Sequence, residues 1–182
     1  MKVCVYAICK NESQFVDRFM DSMSEADYVC VLDTGSSDDT VKKLRARGAI
    51  VGETVVSPWR FDTARNESLG LIPADADICC AIDLDEQFHP GWRAALERAW
   101  QPDTTRARYR YTWSFRPDGS EGMVFWADKI HKNGCYRWAS PVHETLSYTG
   151  EGAERFVDAA GVQLDHHPDE TKSRGQYLPL LE

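Results

Sequence analysis

Three carboxylates crowd into four positions at the end of the run Ile78-Cys79-Cys80-Ala81-Ile82-Asp83-Leu84-Asp85-Glu86. The apolar residues ahead of them read as a strand buried on both faces. Side chains alternate along a strand, so Asp83 and Asp85 are expected on one side, about 6.6 Å apart. With an effective dielectric of about 20, two such charges repel by roughly 2–3 kcal/mol. A cation at the mouth of the strand would relieve that cost. All-oxygen ligation selects a hard ion, Mg²⁺ or Mn²⁺, which shares its shell with substrate phosphates. The plain alternative is a solvated acidic turn, and the triplet Asp83-Leu84-Asp85 taken alone favours it.

Other polar residues shift the balance, because the elements that carry them converge. Residues 2–9 read as a buried strand. Phe15, Val16, Phe19, Met20 and Met23 then repeat as one helical face, with Asn11 as the expected N-cap and Gln14 as its capping-box partner. A second strand, 28–32, ends at Asp33-Thr34-Gly35-Ser36-Ser37-Asp38. There Gly35 permits a turn and Ser36 or Ser37 is expected to cap the helix of Val41 and Leu44, which Gly48 closes. A third strand starts at 49–51, and Phe61, Ala64, Ser68 and Leu69 mark a helix bearing Arg65 and Asn66. The organising strand, 77–82, follows. Strands alternating with helices imply βαβ units and a largely parallel sheet, whose ligands bind beyond the carboxyl ends of the strands. Lys10, Asn11, Asp33, Arg65 and Asp83 are all expected on that rim.

The pattern changes after residue 88. Trp92, Ala95, Leu96, Ala99 and Trp100 keep helical spacing behind Pro90 and read as core. Arg106, Arg108 and Arg110 alternate with Ala107, Tyr109 and Tyr111 as a strand, expected to be the solvated face of an edge. The other reading is a surface for an anionic acceptor, with Tyr109, Tyr111, Trp113, Phe115 and Trp126 as stacking rings. Pro117-Asp118-Gly119 marks a hairpin returning through 123–126, and Asn133-Gly134 a second one between 129–132 and 135–138. The expectation is one domain over 1–182, with an α/β, Rossmann-like half at 1–88 and an antiparallel, hairpin-rich half at 89–182.

Net charge is −8, so bulk charge does not hold nucleic acid or an anionic membrane. Six cysteines fall mostly in apolar runs and show no zinc-finger spacing. His131 with Cys135, or the doublet His166-His167, is a weaker metal candidate. With no signal-peptide pattern and no run of membrane-spanning length, the expected location is the cytoplasm.

Four pieces in order resemble the family 2 glycosyltransferases, inverting enzymes of the glycosyltransferase A fold. They are Ile8-Cys9-Lys10-Asn11-Glu12, Val31-Leu32-Asp33-Thr34-Gly35-Ser36-Ser37-Asp38, Ala64-Arg65-Asn66 and Ile82-Asp83-Leu84-Asp85-Glu86. Ser140-Pro141-Val142-His143-Glu144, and His166-His167 ahead of Lys172-Ser173-Arg174, resemble the subgroup often fused to tetratricopeptide repeats. The resemblance implies transfer of a sugar from a nucleotide diphosphate, with uridine as the base. Ile8, Lys10, Asn11 and Glu12 would line the nucleoside pocket, and Asp33 beside Gly35 would contact the base. Arg65 would face the diphosphate. Asp83, Leu84 and Asp85 would hold ribose and metal, and His166 or His167 would complete the metal shell.

An inverting displacement needs one general base. Glu144 is the candidate, with His143 as an orienting partner or metal neighbour. Asp62 is expected to cap its helix. The acceptor, whether glycan, peptide, lipid or modified nucleic acid, stays open. Two other readings compete. A nucleotidyltransferase would want a glycine-rich loop after the first strand, which Ile8-Cys9-Lys10-Asn11 lacks. A non-catalytic nucleotide-binding module would not need Asp83, Asp85 and Glu144 together.

Overall fold

The computed structural model describes residues 1–169 of the chain. The apolar run near the start forms β1 (Val3–Cys9), followed by α1 (Val16–Ser22), β2 (Tyr28–Asp33), α2 (Thr40–Ala46) and β3 (Ile50–Glu53). Then come α3 (Phe61–Ser68), β4 (Ile78–Ala81), β5 (Glu86–Phe88) and α4 (Trp92–Ala99). The rest is β6 (Arg106–Thr112), β7 (Val124–Lys132), β8 (Tyr136–Ala139), β9 (Thr145–Tyr148) and β10 (Phe156–His166). Eight strands share one sheet in the order β3, β2, β1, β4, β7, β6, β10, β5. The first four are mutually parallel, as the continuous burial of β1 and β4 requires. The chain leaves β1 for β2 on one side and returns as β4 on the other, which opens a crevice between the carboxyl ends of β1 and β4.

One core lies where Val5, Phe19, Leu44, Ile82, Leu84, Trp92, Leu96, Tyr109 and Leu164 meet, under α1 and α4. A second gathers Tyr6, Cys30, Cys79, Trp138 and Leu146. The five cysteines of β1, β2 and β4 are buried free thiols. Among the described residues no helix is long and apolar enough to cross a membrane.

Several expectations change. Asn11 does not cap α1: it adopts a left-handed backbone at φ 54°, and α1 starts beyond it with Phe15 at the N-cap and no side-chain cap. Gln14 reaches Asp169 instead of closing a capping box. Ser36 and Ser37 are likewise drawn away from α2, whose N-cap is Asp39. Asp62 sits inside α3 and pairs with Arg60 rather than capping. The arginine ladder is not an edge, because β6 lies between β7 and β10. Its charges are internally matched: Arg106 with Asp128 and Glu154, Arg108 with Asp158, Arg110 with Glu121.

The Asn133-Gly134 turn leads to β8, but β8 pairs with β9 in a separate two-stranded sheet rather than with β7. Nor is the second half purely antiparallel, since β6 and β10 run parallel. The strand β5 was not expected. It crosses the 88/89 boundary in space by pairing with β10 at the far end of the sheet.

Candidate active site

The strand carrying the acidic triplet ends at Ala81, so Asp83 and Asp85 lie in a turn and not on a pleat. The turn is closed by Glu86 N–H donating to Asp83 O at 3.0 Å. Glu86 then points its carboxylate back: Oε2 accepts the Asp83 N–H at 2.8 Å and Oε1 accepts the Tyr111 hydroxyl at 2.6 Å. Burial drives the Glu86 pKa above the usual carboxylate range. The two aspartates therefore part company. Leu84 between them is fully buried in the core, so its side chain anchors the turn and does not face a ligand.

Asp83 turns toward α3. Arg65 Nη2 donates to its Oδ1 at 2.7 Å, and Lys129 Nζ stands 3.9 Å from Oδ2. Burial works to raise the Asp83 pKa, but Arg65 and Lys129 outweigh it and hold the group below its usual range. Arg65 is itself buried, with its Cζ 5.4 Å from the Trp138 ring centre. Its Nε donates to Glu144 Oε1 at 3.1 Å. Burial alone would lower the Arg65 pKa, yet the two flanking carboxylates hold it above its ordinary value. Arg65 Nη1 is buried with no hydrogen-bond partner among the described residues. Charge thus alternates along a row: Lys129, Asp83, Arg65, Glu144.

The row is held from behind by α3. Asn66 donates to Trp138 O at 2.8 Å and accepts the Trp138 N–H at 2.9 Å, acting as a one-residue strand partner for β8. Pro141 O accepts the Phe61 N–H at 3.0 Å, which ties the loop before Glu144 to the start of α3. His143 in that loop is exposed, with φ 54°, and among the described residues no side-chain hydrogen bond or ion pair joins it to Glu144.

Asp85 faces the other way. Its Oδ2 lies 3.3 Å from His166 Nε2. His166 Nδ1 is 3.1 Å from Trp113 O, so Nδ1 carries the hydrogen and Nε2 turns to Asp85. Burial works to lower the His166 pKa, but Asp85 and the Trp113 carbonyl raise it. The two rings of Trp113 and His166 stack at 4.4 Å. His167 does not join Asp85 through its ring, which stacks on Phe115 at 5.1 Å. Only its backbone N–H donates to Asp85 O, at 2.8 Å. Its pKa is lowered by burial and by Arg18. No cluster of three or more His, Cys, Asp or Glu side chains placed to hold a metal occurs among the described residues.

The two loops beyond β1 and β2 form the opposite wall. Asp33 is buried, and its Oδ2 accepts the N–H groups of Gly35 and Ser36 at 3.0 and 2.8 Å. Its Oδ1 takes the Ser36 hydroxyl and the Cys9 thiol. Gly35, at φ 103°, makes this tight turn possible. Asn11 Oδ1 accepts the Ser37 N–H at 2.8 Å, and the Glu12 N–H reaches Thr40 Oγ1 at 2.8 Å. Lys10 is exposed at the carboxyl end of β1, and Ile8 is partly buried one turn of the pleat earlier. Asp33, Gly35, Asn11 and Glu12 are therefore brought together as one stitched rim, with the Asp33 carboxylate spent on holding it.

Four participants were not foreseen: Arg18, Glu86, Lys129 and Trp138. Arg18 Nη2 donates to His167 O at 3.0 Å from the face of α1. Only Glu86 was signalled in the sequence, by its place behind the triplet. His131, a weak metal candidate, is a core residue: Tyr6 Oη is 2.8 Å from its Nε2, and Trp138 Nε1 donates to Tyr6 Oη at 3.0 Å. The clefts lined by Met1, Asp77 and Trp100 and by Met20, Val29 and Arg47 lie away from the acidic turn.

No model of a known protein family matches the chain. Among solved structures it is similar to glucosyl-3-phosphoglycerate synthase from Mycobacterium tuberculosis in complex with Mn²⁺, uridine diphosphate and glucosyl-3-phosphoglycerate. That match has 26% identity and a TM-score of 0.50, and covers 60% of this chain and 44% of that one. The same synthase with Mn²⁺ and uridine-diphosphate-glucose matches at 26% identity and a TM-score of 0.50, over 60% and 43% of the two chains. A further mycobacterial protein, at 23% identity and a TM-score of 0.51 over 62% and 41%, shares the fold. The chain spans less than half the length of these neighbours, and its fold is glycosyltransferase A-like.

Proposed function

We propose that the chain is a metal-dependent transferase that moves a sugar from a uridine diphosphate donor to an acceptor still to be identified. The observation that carries this reading is the split acidic turn. Asp85 faces His166 at 3.3 Å, while Asp83 is held by a buried arginine on the rim where β1 and β4 diverge. The likeness to a synthase solved with Mn²⁺ or Mg²⁺ and uridine diphosphate supports it.

The donor set fits such an ion. Asp85 Oδ2 and His166 Nε2 would hold it. One carboxylate and one imidazole, with substrate phosphates supplying the other oxygens, is a mixed set that suits Mn²⁺ better than Mg²⁺, which takes oxygen ligands. When bound, the ion would stabilise negative charge on the departing diphosphate. The protein's own groups do the rest. Arg65 fixes Asp83 and Glu144 at once, and its Nη1, without a hydrogen-bond partner among the described residues, keeps unused N–H donors beside them. The loop of Lys10, Asn11 and Glu12, stitched to the Asp33 turn, offers the nucleoside a preformed wall. Glu144 is the proposed base of an inverting transfer. Its Oε1 is anchored by Arg65, and Oε2 has no partner among the described residues, leaving it to accept the acceptor's proton. Membership of family 2, in the subgroup often fused to tetratricopeptide repeats, is part of this proposal.

The test is slow hydrolysis of uridine-diphosphate-glucose by the purified protein with Mn²⁺. Asp85→Ala and His166→Ala are each expected to cut the rate by about a hundredfold or more, with circular dichroism confirming that each variant is folded. Full turnover by both variants in a chelator would end the metal role. Wild type that neither binds nor cleaves any nucleotide sugar would end the reading.

A further inference from the structure

The pairing of β7 with its neighbours breaks at one place. From Ala107 to Tyr109, β6 advances two residues while β7 moves three, from Ile130 to Ala127. Asp128 and Lys129 therefore stand opposite the single residue Arg108. This is a β-bulge, a device that re-aims side chains beside functional sites. On the other flank, β4 pairs with β7 only as far as Cys80 opposite Ile130. The bulge thus begins where β4 gives way to the acidic turn. Its two side chains diverge: Asp128 goes to Arg106 at 3.1 Å, and Lys129 reaches toward Asp83.

The Lys129 ammonium is loosely held. Its distance to Asp83 Oδ2, 3.9 Å, is too long for a hydrogen bond. Among the described residues Nζ makes none, although it carries three donors. The side chain is about a third exposed, and Asp83 keeps its short bond to Arg65 without it. A flexible point charge with unused donors, aimed over a rim that would receive a diphosphate, suits a phosphoryl oxygen.

We propose that Lys129 is a phosphate-binding residue of this site, moving from Asp83 to a phosphoryl oxygen of the bound substrate. The inference rests on the reading above. The phosphoryl group belongs either to the donor's diphosphate or to a phosphorylated acceptor.

The experiment is calorimetric titration of wild type, Lys129→Met and Lys129→Arg in Mn²⁺. The titrants are uridine diphosphate, uridine, and inorganic phosphate added to the uridine diphosphate-loaded protein. Circular dichroism confirms that each variant is folded. A donor contact predicts that Lys129→Met binds uridine diphosphate about ten- to a hundredfold more weakly, binds uridine normally, and is rescued by arginine. An acceptor contact predicts unchanged uridine diphosphate affinity and loss of the inorganic phosphate site. Unchanged affinities for both phosphates overturn the proposal, as does an equal loss for uridine. Wild type that binds no uridine diphosphate removes the reading of the site itself, and Lys129 with it.

Discussion

At the scale of single residues, Arg65 carries the most. It is buried between two carboxylates from segments far apart in sequence and stacks on Trp138. Removing one partner of a buried ion pair leaves uncompensated charge, at a cost of about 3–5 kcal/mol. Arg65→Met is therefore expected to lose stability on that order in urea unfolding, and to lose nucleotide-sugar hydrolysis. Arg65→Lys keeps the charge but not the fork that spans both acids, so it should recover only part of the stability and little of the activity. A lysine variant equal to wild type in both would show that the fork is not needed. The sequence placed Arg65 and Asp83 on one rim but not in one bond, and it gave no sign that Glu144 would join them. It also mistook the triplet's geometry. Alternation applies while a chain stays extended, and here the strand ends before Asp83, so the two aspartates serve different partners.

At the scale of elements, the parallel strands were legible because burial on both faces leaves continuous apolar runs. The β8 and β9 ribbon was not, because its neighbour is a side chain: Asn66 on α3 pairs with Trp138 as a strand would. The arginine ladder misled because internally matched charges and solvated charges look alike in one dimension. A chain of bonds through His131, Tyr6 and Trp138 joins β7, β1 and β8 behind the site. His131 Nδ1 lies 3.0 Å from Lys132 O, so it is the donor nitrogen, and Nε2 accepts the Tyr6 hydroxyl. Burial pushes the His131 pKa down to about 4. The unfolded chain protonates this histidine near about 6.5. Between those values the unfolded state binds more protons, so stability is complete above the higher one and falls as pH drops toward the lower. The loss is about 3 kcal/mol. Urea titrations across this range should show that decline in wild type and a shallower one in His131→Gln. Parallel curves would mean that His131 does not stay neutral in the fold.

At the scale of the whole molecule, the hydrogen bonding runs across the expected line between a Rossmann-like half at 1–88 and an antiparallel half at 89–182. β4 pairs with β7, and β5 pairs with β10, so strands from before residue 89 hold both the middle and the far edge of the sheet. Composition could not reveal this, since β5 is only three residues long and sits just after the acidic turn. The site depends on the arrangement: Asp85 comes from the turn before β5, and His166 from the end of β10, its direct partner. Two cores on the sheet carry Trp92 and Trp138, one each. If the sheet couples them, the protein unfolds as a unit, and different probes must give one midpoint. Urea unfolding followed by far-ultraviolet circular dichroism should coincide with tryptophan fluorescence in both Trp92→Phe and Trp138→Phe. Each variant removes one core's buried tryptophan from a signal that Trp59, Trp100, Trp113 and Trp126 still share, so its difference from wild type reports that core, and each curve should agree with its own circular dichroism trace. Midpoints that separate, with the Trp138 signal lost before the Trp92 signal, would make the β8–β9 ribbon and the core beneath it a unit that opens on its own. Glu144 and Arg65 would then part from Asp83 while the parallel strands remain folded.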